Sequence, residues 1–258
     1  MHAFKQQLLQ LSLYFNYIIS LPVSSYHMRQ RLTQTFLRLL ALLTAEVLVL
    51  GLAMLLCLAL FLFMAHLVFV ARDNTLDAAL FAFADRFPSP AMTQVMRGVS
   101  FFASFEYLLV VPPLVVLVFS FFRGWRWLAL KVLLISFSTS ILNQLLKRYF
   151  ERPRPETALL EQSGMSFPSG HAMIGGAFYG VLIYIVWRMV RAKVWRWVLT
   201  LLLTLLVLLI GFSRIYLRVH YATDVLAGYA IGLLWLLLSL YFMRRLEASY
   251  SRKYEQQV

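Results

Sequence analysis

Runs of apolar residues long enough to cross a bilayer, broken by short clusters rich in Arg, Lys and Pro, set the rhythm of this chain. A spanning helix needs about 20 mostly apolar residues. Runs of that order predict six of them, at about 39–70, 100–122, 127–145, 168–187, 197–212 and 225–243. Ahead of them, 8–23 is rich in Leu, Ile and Tyr but interrupted by Gln, Ser, Asn and Pro22, a pattern for a helix lying in the interface rather than crossing it. It lacks the short apolar core and small-residue cleavage site of a removable signal peptide. The connection at 72–97 carries Pro88, Pro90 and an amphipathic patch at 76–87. Within the spans, Glu46, His66 and Glu106 are expected at the headgroup level or against a neighbouring helix, with a site role for Glu106 left open. The pair Pro112-Pro113 is tolerated where neighbours satisfy the freed carbonyls, often as a kink. The fold class is therefore an all-α integral membrane protein. An N-terminal interfacial segment (1–38) precedes a six-span domain (39–243), and a polar tail (244–258) follows it.

Composition agrees. Of 258 residues, 61% are hydrophobic and 14% charged, too few polar side chains to cover a water-soluble domain of this size. The single cysteine, Cys57, lies inside an apolar run, which excludes a disulfide framework or a cysteine metal cluster.

The net charge of +13 changes the picture through its placement. Six spans put both termini on one side. That side holds the N-terminal segment (Lys5, Arg29, Arg31, Arg38), the loops with Arg123, Arg126, Lys131 and with Arg188, Arg191, Lys193, Arg196, and the tail. In the tail Arg244, Arg245, Arg252 and Lys253 oppose Glu247 and Glu255, and these four sets together carry the whole of the +13. By the positive-inside rule this is the cytoplasmic face. The basic balance is thus a topology signal and not a nucleic-acid footprint.

Three polar motifs then share the opposite, extracytoplasmic ends of their spans. The first sets Lys147 and Arg154 on a turn stiffened by Pro153 and Pro155. The second, Phe167-Pro168-Ser169-Gly170-His171, opens the fourth span. A helix start leaves several backbone N–H groups unpaired at the positive end of the helix dipole, which favours an anion. His171 falls in the first turn, placed to pass a proton to whatever that site holds. The third supplies Arg214, His220 and Asp224. If the last helix begins near 220, the His and Asp share one face. A carboxylate that accepts from one ring nitrogen fixes the tautomer and leaves the other nitrogen free to attack. Three cations, a helix N-terminus and two histidines at one membrane face describe a phosphoryl-transfer site, in which one histidine attacks and the other protonates the leaving oxygen.

Lys, six residues, Arg-Pro; Pro-Ser-Gly-His; Ser-Arg, five residues, His, three residues, Asp: this series resembles the three-part signature of the type 2 phosphatidic acid phosphatase superfamily, with every position filled between Lys147 and Asp224. The resemblance implies a metal-independent phosphatase, without cofactor, that works through a covalent phosphohistidine. By matching position His220 would be the nucleophile, Asp224 its orienting carboxylate and His171 the general acid. Lys147, Arg154, Ser169, Gly170 and Arg214 would hold the phosphoryl group. Soluble vanadium haloperoxidases share the superfamily, but six spans point to its membrane branch.

The expected protein is a bacterial inner-membrane phosphatase, both termini cytoplasmic and its site periplasmic, acting on a lipid whose tails stay in the bilayer. The resemblance implies undecaprenyl pyrophosphate, phosphatidylglycerophosphate, phosphatidate, diacylglycerol pyrophosphate and lipid A as candidate substrates, among which the motifs do not choose, and the oligomeric state stays open. Two alternatives remain: a phosphotransferase passing the group to a second lipid through the same site, and a non-enzymatic lipid carrier. Carriers usually show repeated halves and broken helices at the midplane, whereas here the polar residues gather at one face.

Overall fold

The computed structural model describes residues 26–255, so the segment at 8–23 lies outside the described residues. Those residues contain helices and connections and no strand. Helix α1 (Tyr26–His66) continues through a wider turn at Leu67–Ala71; α2 (Thr75–Ala84) and α3 (Pro90–Phe101) follow, then α4 (Phe105–Ser120) and α5 (Arg126–Phe150). A second wide turn, His171–Gly175, leads into α6 (Gly176–Met189), and α7 (Lys193–Tyr216) and α8 (Ala222–Glu255) complete the chain. Six segments are long and apolar enough to cross a membrane, as expected. The chain divides after Leu52 into two compact units, and all the polar motifs lie in the second.

Helices α5 and α6 form the centre of that second unit. Val132 and Ile135 of α5 pack with Ala177, Phe178 and Val181 of α6, all fully buried. Lipid tails are as apolar as leucine, so close backbone approach rather than escape from water holds such helices together. Gly228 and Gly232 show the approach. A Cβ at Gly228 would stand 2.7 Å from the Ser169 carbonyl oxygen, and one at Gly232 would stand 2.8 Å from that of Met173. Only glycine lets α8 lie against the turn that carries the second motif.

Three elements depart from expectation. The second span is not one continuous helix: it breaks at 102–104, between α3 and α4, and Pro112 and Pro113 lie inside α4. Two serines make the helix starts: Ser89 Oγ accepts from Met92 N at 3.0 Å with Pro90 in the first turn, and Ser104 Oγ accepts from Tyr107 N at 3.2 Å. Tyr179 Oη donates to the Phe102 carbonyl at 2.7 Å, pairing an acceptor at the break. Helix α5 outlasts the expected 127–145, so Lys147 stands in its last turn and not on the Pro-rich connection. It stops at Glu151, which adopts a left-handed conformation (φ 48°). Helix α8 likewise runs through the start of the expected tail, to Glu255.

Aromatic rings fasten the second motif in place. Phe167, fully buried, lies 4.9 Å from Phe150, 5.3 Å from Phe69 and 5.9 Å from Phe61 between ring centroids. Each such pair adds about 0.5–1.5 kcal/mol beyond its burial. The first span, the end of α5 and the loop before His171 are thereby tied together at the end of the bundle where the motifs converge.

Candidate active site

The loop 151–170 and the short link from α7 to α8 bring the three motifs into one cluster. Ser169 N donates to the Asp224 carbonyl at 3.0 Å, and Arg154 Nη1 donates to the Val219 carbonyl at 2.8 Å. Lys147, Arg154, Gly170, His171, Arg214 and His220 line one end of a cavity of about 990 Å³. The cavity continues between α4 and α5 along Leu109, Pro112, Pro113, Leu133 and Phe137, so a cationic pocket opens into an apolar groove. Of the expected site residues, Ser169 and Asp224 stand behind the wall, both fully buried.

The His–Asp pair is less direct than its spacing suggested. Helix α8 begins at Ala222, so His220 precedes it, and Nδ1 lies 3.6 Å from Asp224 Oδ2. Ser166 fills the gap: its Oγ is 3.1 Å from Nδ1 and donates to Oδ2 in a short hydrogen bond. On the other side of the ring Arg154 Nη1 is 3.3 Å from Nε2. A guanidinium can only donate, so Nε2 offers its lone pair and the ring proton belongs on Nδ1, bonding to Ser166. The result is a relay from Nδ1–H through the serine hydroxyl to the carboxylate, with Nε2 facing the cations. Burial pushes the His220 ring down to about 4 from its ordinary value, against the pull of Asp224, and Arg154 and Arg214 add to the fall. It is neutral at pH 7.

The cations are held mostly by neutral groups. Lys147 Nζ donates to the Met165 carbonyl, and Arg154 donates through Nε to the Gly164 carbonyl at 2.9 Å. Arg214, about 1% exposed, reaches Ser100 Oγ with Nη1 and Gln162 Oε1 with Nη2 at 2.6 Å. Its Nε has no hydrogen-bond partner, nor has the Ser169 hydroxyl. Buried donors left unpaired are costly in a packed protein. Arg214, on the cavity wall with Lys147 and Arg154, adds its unpaired Nε to a set of donors shaped to close on an anion with several oxygens. Among the described residues no group of three or more His, Cys, Asp or Glu side chains is placed to hold a metal ion.

Several members of the site were not identified from sequence. Ser166 carried no signal, since a serine two residues before Pro168 is ordinary. Ser100 and Gln162 reach Arg214 from elements far apart in the chain. Arg152, outside the three motifs, serves Asp224 (Nη1 to Oδ1, 2.6 Å) and faces Asp77 on α2 (Nη2 to Oδ2, 2.9 Å). A lone acid in the otherwise apolar start of α2 was the available clue to Asp77.

A multi-pass helical bundle with a histidine–carboxylate relay and an anion pocket at the head of an apolar groove is the class of protein that fold and site define. Residues 128–248 match the PAP2 superfamily model. Phosphatidylglycerophosphatase B of Bacillus subtilis (strain 168) is 33% identical over 178 residues, covering 67% of this chain and 86% of that one. Undecaprenyl-diphosphatase of Sulfolobus acidocaldarius is 34% identical over 108 residues, or 39% of this chain and 48% of that one. Among solved structures, the first transmembrane PAP2-type phosphatidylglycerolphosphate phosphatase from Bacillus subtilis superposes with a TM-score of 0.69 at 29% identity, over 74% of this chain and 96% of that one. Aquifex aeolicus LpxE gives 0.53 at 26% identity, over 65% and 96%. The chain belongs to the PAP2 superfamily, in its branch of membrane lipid phosphatases.

Proposed function

We propose that this protein hydrolyses a lipid phosphate or pyrophosphate through a phosphohistidine formed on His220. The observation that carries the reading is the unprotonated Nε2 of His220, held by the Ser166–Asp224 relay 3.3 Å from Arg154 at the cationic head of an apolar groove. A phosphorylated head enters the cationic end while the tail lies between α4 and α5. Nε2 attacks phosphorus; the P–N bond forms as the bond to the lipid oxygen breaks, and His171 gives that oxygen its proton. Water then attacks phosphorus and loses a proton to His171, the P–N bond breaks with its electron pair returning to Nε2, and phosphate leaves. Lys147, Arg154 and Arg214, with the Ser169 hydroxyl and the N–H groups at Gly170 and His171, offset the charge that spreads over the phosphoryl oxygens. None of these steps needs a metal.

The reading is tested with purified protein in detergent, measuring phosphate release from a panel of lipid phosphates and pyrophosphates with EDTA present. Activity without added Mg²⁺, and inhibition by vanadate as a mimic of five-coordinate phosphorus, are expected; full loss with EDTA that Mg²⁺ reverses would overturn the mechanism. The placement of the site on the periplasmic side of a bacterial inner membrane, with both termini cytoplasmic, rests on the positive-inside rule. After replacement of Cys57, a cysteine at exposed Ser163 should react with an impermeant thiol reagent in intact spheroplasts, and one at Lys193 should not. The reverse pattern would invert the topology.

A further inference from the structure

Behind the relay lies a second carboxylate that the three motifs do not include. Asp77, in the first turn of α2, is about 2% exposed and lies outside the 128–248 region that matches the family. Its Oδ2 takes Arg152 Nη2 at 2.9 Å and the Thr223 hydroxyl at 3.0 Å, and its Oδ1 takes Thr223 N at 2.8 Å. Arg152 stacks 3.9 Å above the Tyr221 ring and sends Nη1 to Thr223 Oγ1 at 2.7 Å and Asp224 Oδ1 at 2.6 Å. So one guanidinium spans two buried acids, and it uses a single nitrogen on the one that faces His220. The other oxygen of Asp224 is left to Ser166, Tyr221 N and the histidine.

We propose that Asp77 and Arg152 are positioning residues for the reaction, setting both the orientation and the effective charge of Asp224 toward His220. Two physical arguments lead there. Without Asp77, Arg152 is free to turn both nitrogens onto Asp224, since paired Arg–carboxylate contacts are the favoured geometry. That would draw Oδ2 away from Ser166 and loosen the relay. The charge count points the same way. Asp77, Arg152 and Asp224 together carry one net negative charge, whereas Arg152 with Asp224 alone carries none. Attack by Nε2 leaves the imidazole cationic, bonded to phosphorus at Nε2 and to hydrogen at Nδ1. A net negative cluster behind it favours that state and a neutral pair does not.

This inference rests on the reading that His220 attacks, and the experiment keeps the two apart. Asp77→Asn preserves the shape of the carboxylate and removes its charge. Single-turnover phosphate release from a lipid monophosphate in detergent should slow by about tenfold to a hundredfold, the range found for partners that orient a reacting ligand. Substrate binding should not change. Asp77→Glu should regain a measurable part of the rate. The deciding step is a double-mutant cycle. In an Asp224→Asn background, Asp77→Asn should cause less than a twofold further loss, because the carboxylate it acts through is gone. The same fold-loss in both backgrounds would overturn the proposal and leave Asp77 as a brace for the start of α8; so would an unchanged rate in Asp77→Asn. If that variant does not elute as a single species, Arg152→Lys takes its place in the same cycle and is read in the same way. Activity retained in His220→Ala would instead overturn the parent mechanism.

Discussion

Lys131 and Arg214 are both about 1% exposed, one in the second turn of α5 and the other in the last turn of α7, at opposite ends of the bundle. Lys131 has a full counter-charge: its Nζ lies 2.5 Å from Glu247 Oε2 and 5.7 Å from the centroid of the Tyr184 ring. Arg214 has neutral partners, Ser100 and Gln162, and an Nε bonded to nothing. A buried cation is tolerable when paired and strongly unfavourable when not. The lysine end is therefore a clip joining α5 to the far part of α8. The arginine end is left short of partners in the folded chain, so its cost falls on folding, and under the proposed reading a bound anion offsets it.

The strongest way to break that contrast is to remove the atom the site presents to the anion. His220→Ala should lower turnover by roughly 10⁴–10⁶-fold, the scale seen when a covalent nucleophile is lost, and no leaving group should restore it. His171→Ala should be badly impaired on a lipid monophosphate, whose alkoxide needs a proton, and largely recovered on p-nitrophenyl phosphate, whose phenolate does not. Equal loss on both substrates for both variants would remove this division of labour. Selective recovery of His220→Ala would reverse it.

Asp224→Asn comes next, with turnover down by roughly 10²–10⁴-fold by analogy with a tautomer-fixing carboxylate elsewhere. Near-normal turnover would reduce Asp224 to a helix cap. The two cations give the direct comparison. Arg214→Met should cost about 10²–10³-fold in turnover, as for one lost oxyanion donor, while the thermal midpoint in detergent does not fall, since an uncompensated charge has left the interior. Glu247→Gln should do the opposite. It strands Lys131 and lowers the midpoint, at a cost of up to about 3 kcal/mol that is reduced by the partial exposure of Glu247. Its turnover should stay within about twofold of the parent. Matching effects in the two variants would erase the distinction between the ends.

Reading the sequence reached the six spans and the convergence of the motifs because both rest on local pattern: length of apolar run, and Gly, Pro and charge at fixed spacing. It did not reach the break at 102–104, because the capping serine there, Ser104, competes with a nearby Pro112-Pro113 signal that looks stronger. Lys147 is expected on a turn because the apolar run gives out near 145, whereas the helix continues through Lys147 and Arg148 to Phe150 and stops at the left-handed Glu151. Ser166, Arg152 and Asp77 were illegible for a different reason. Each takes its meaning from a partner 54 to 75 residues away, and nothing in the spacing of one chain segment encodes that. The residues that line the cationic end of the cavity carry motif spacing, whereas those that hold them from behind are brought there only by the fold.

The smallest expected effect concerns pH, and it tests whether the site end is as dry as its geometry makes it. His220 is pushed down to about 4 by burial, with Asp224 opposing the shift and Arg154 and Arg214 adding to it. In the unfolded chain the same ring titrates near its ordinary 6.5. Between those values the unfolded state binds more protons than the folded one, so stability rises with pH across the window and falls as pH drops through it. Other groups titrate there too, so the measurement is a difference. Thermal midpoints of the parent and of His220→Ala are compared from about pH 7 to about pH 4 in one detergent, within the ordinary histidine and carboxylate range. The advantage of the parent over the variant should shrink steadily as the pH falls from 6.5 toward 4, because only the parent must hold an imidazole neutral against the solvent's pull. Above 6.5 the difference should be constant. A difference that stays flat throughout would mean that water reaches the ring. In that case the contrast with the paired lysine at the far end would no longer rest on desolvation.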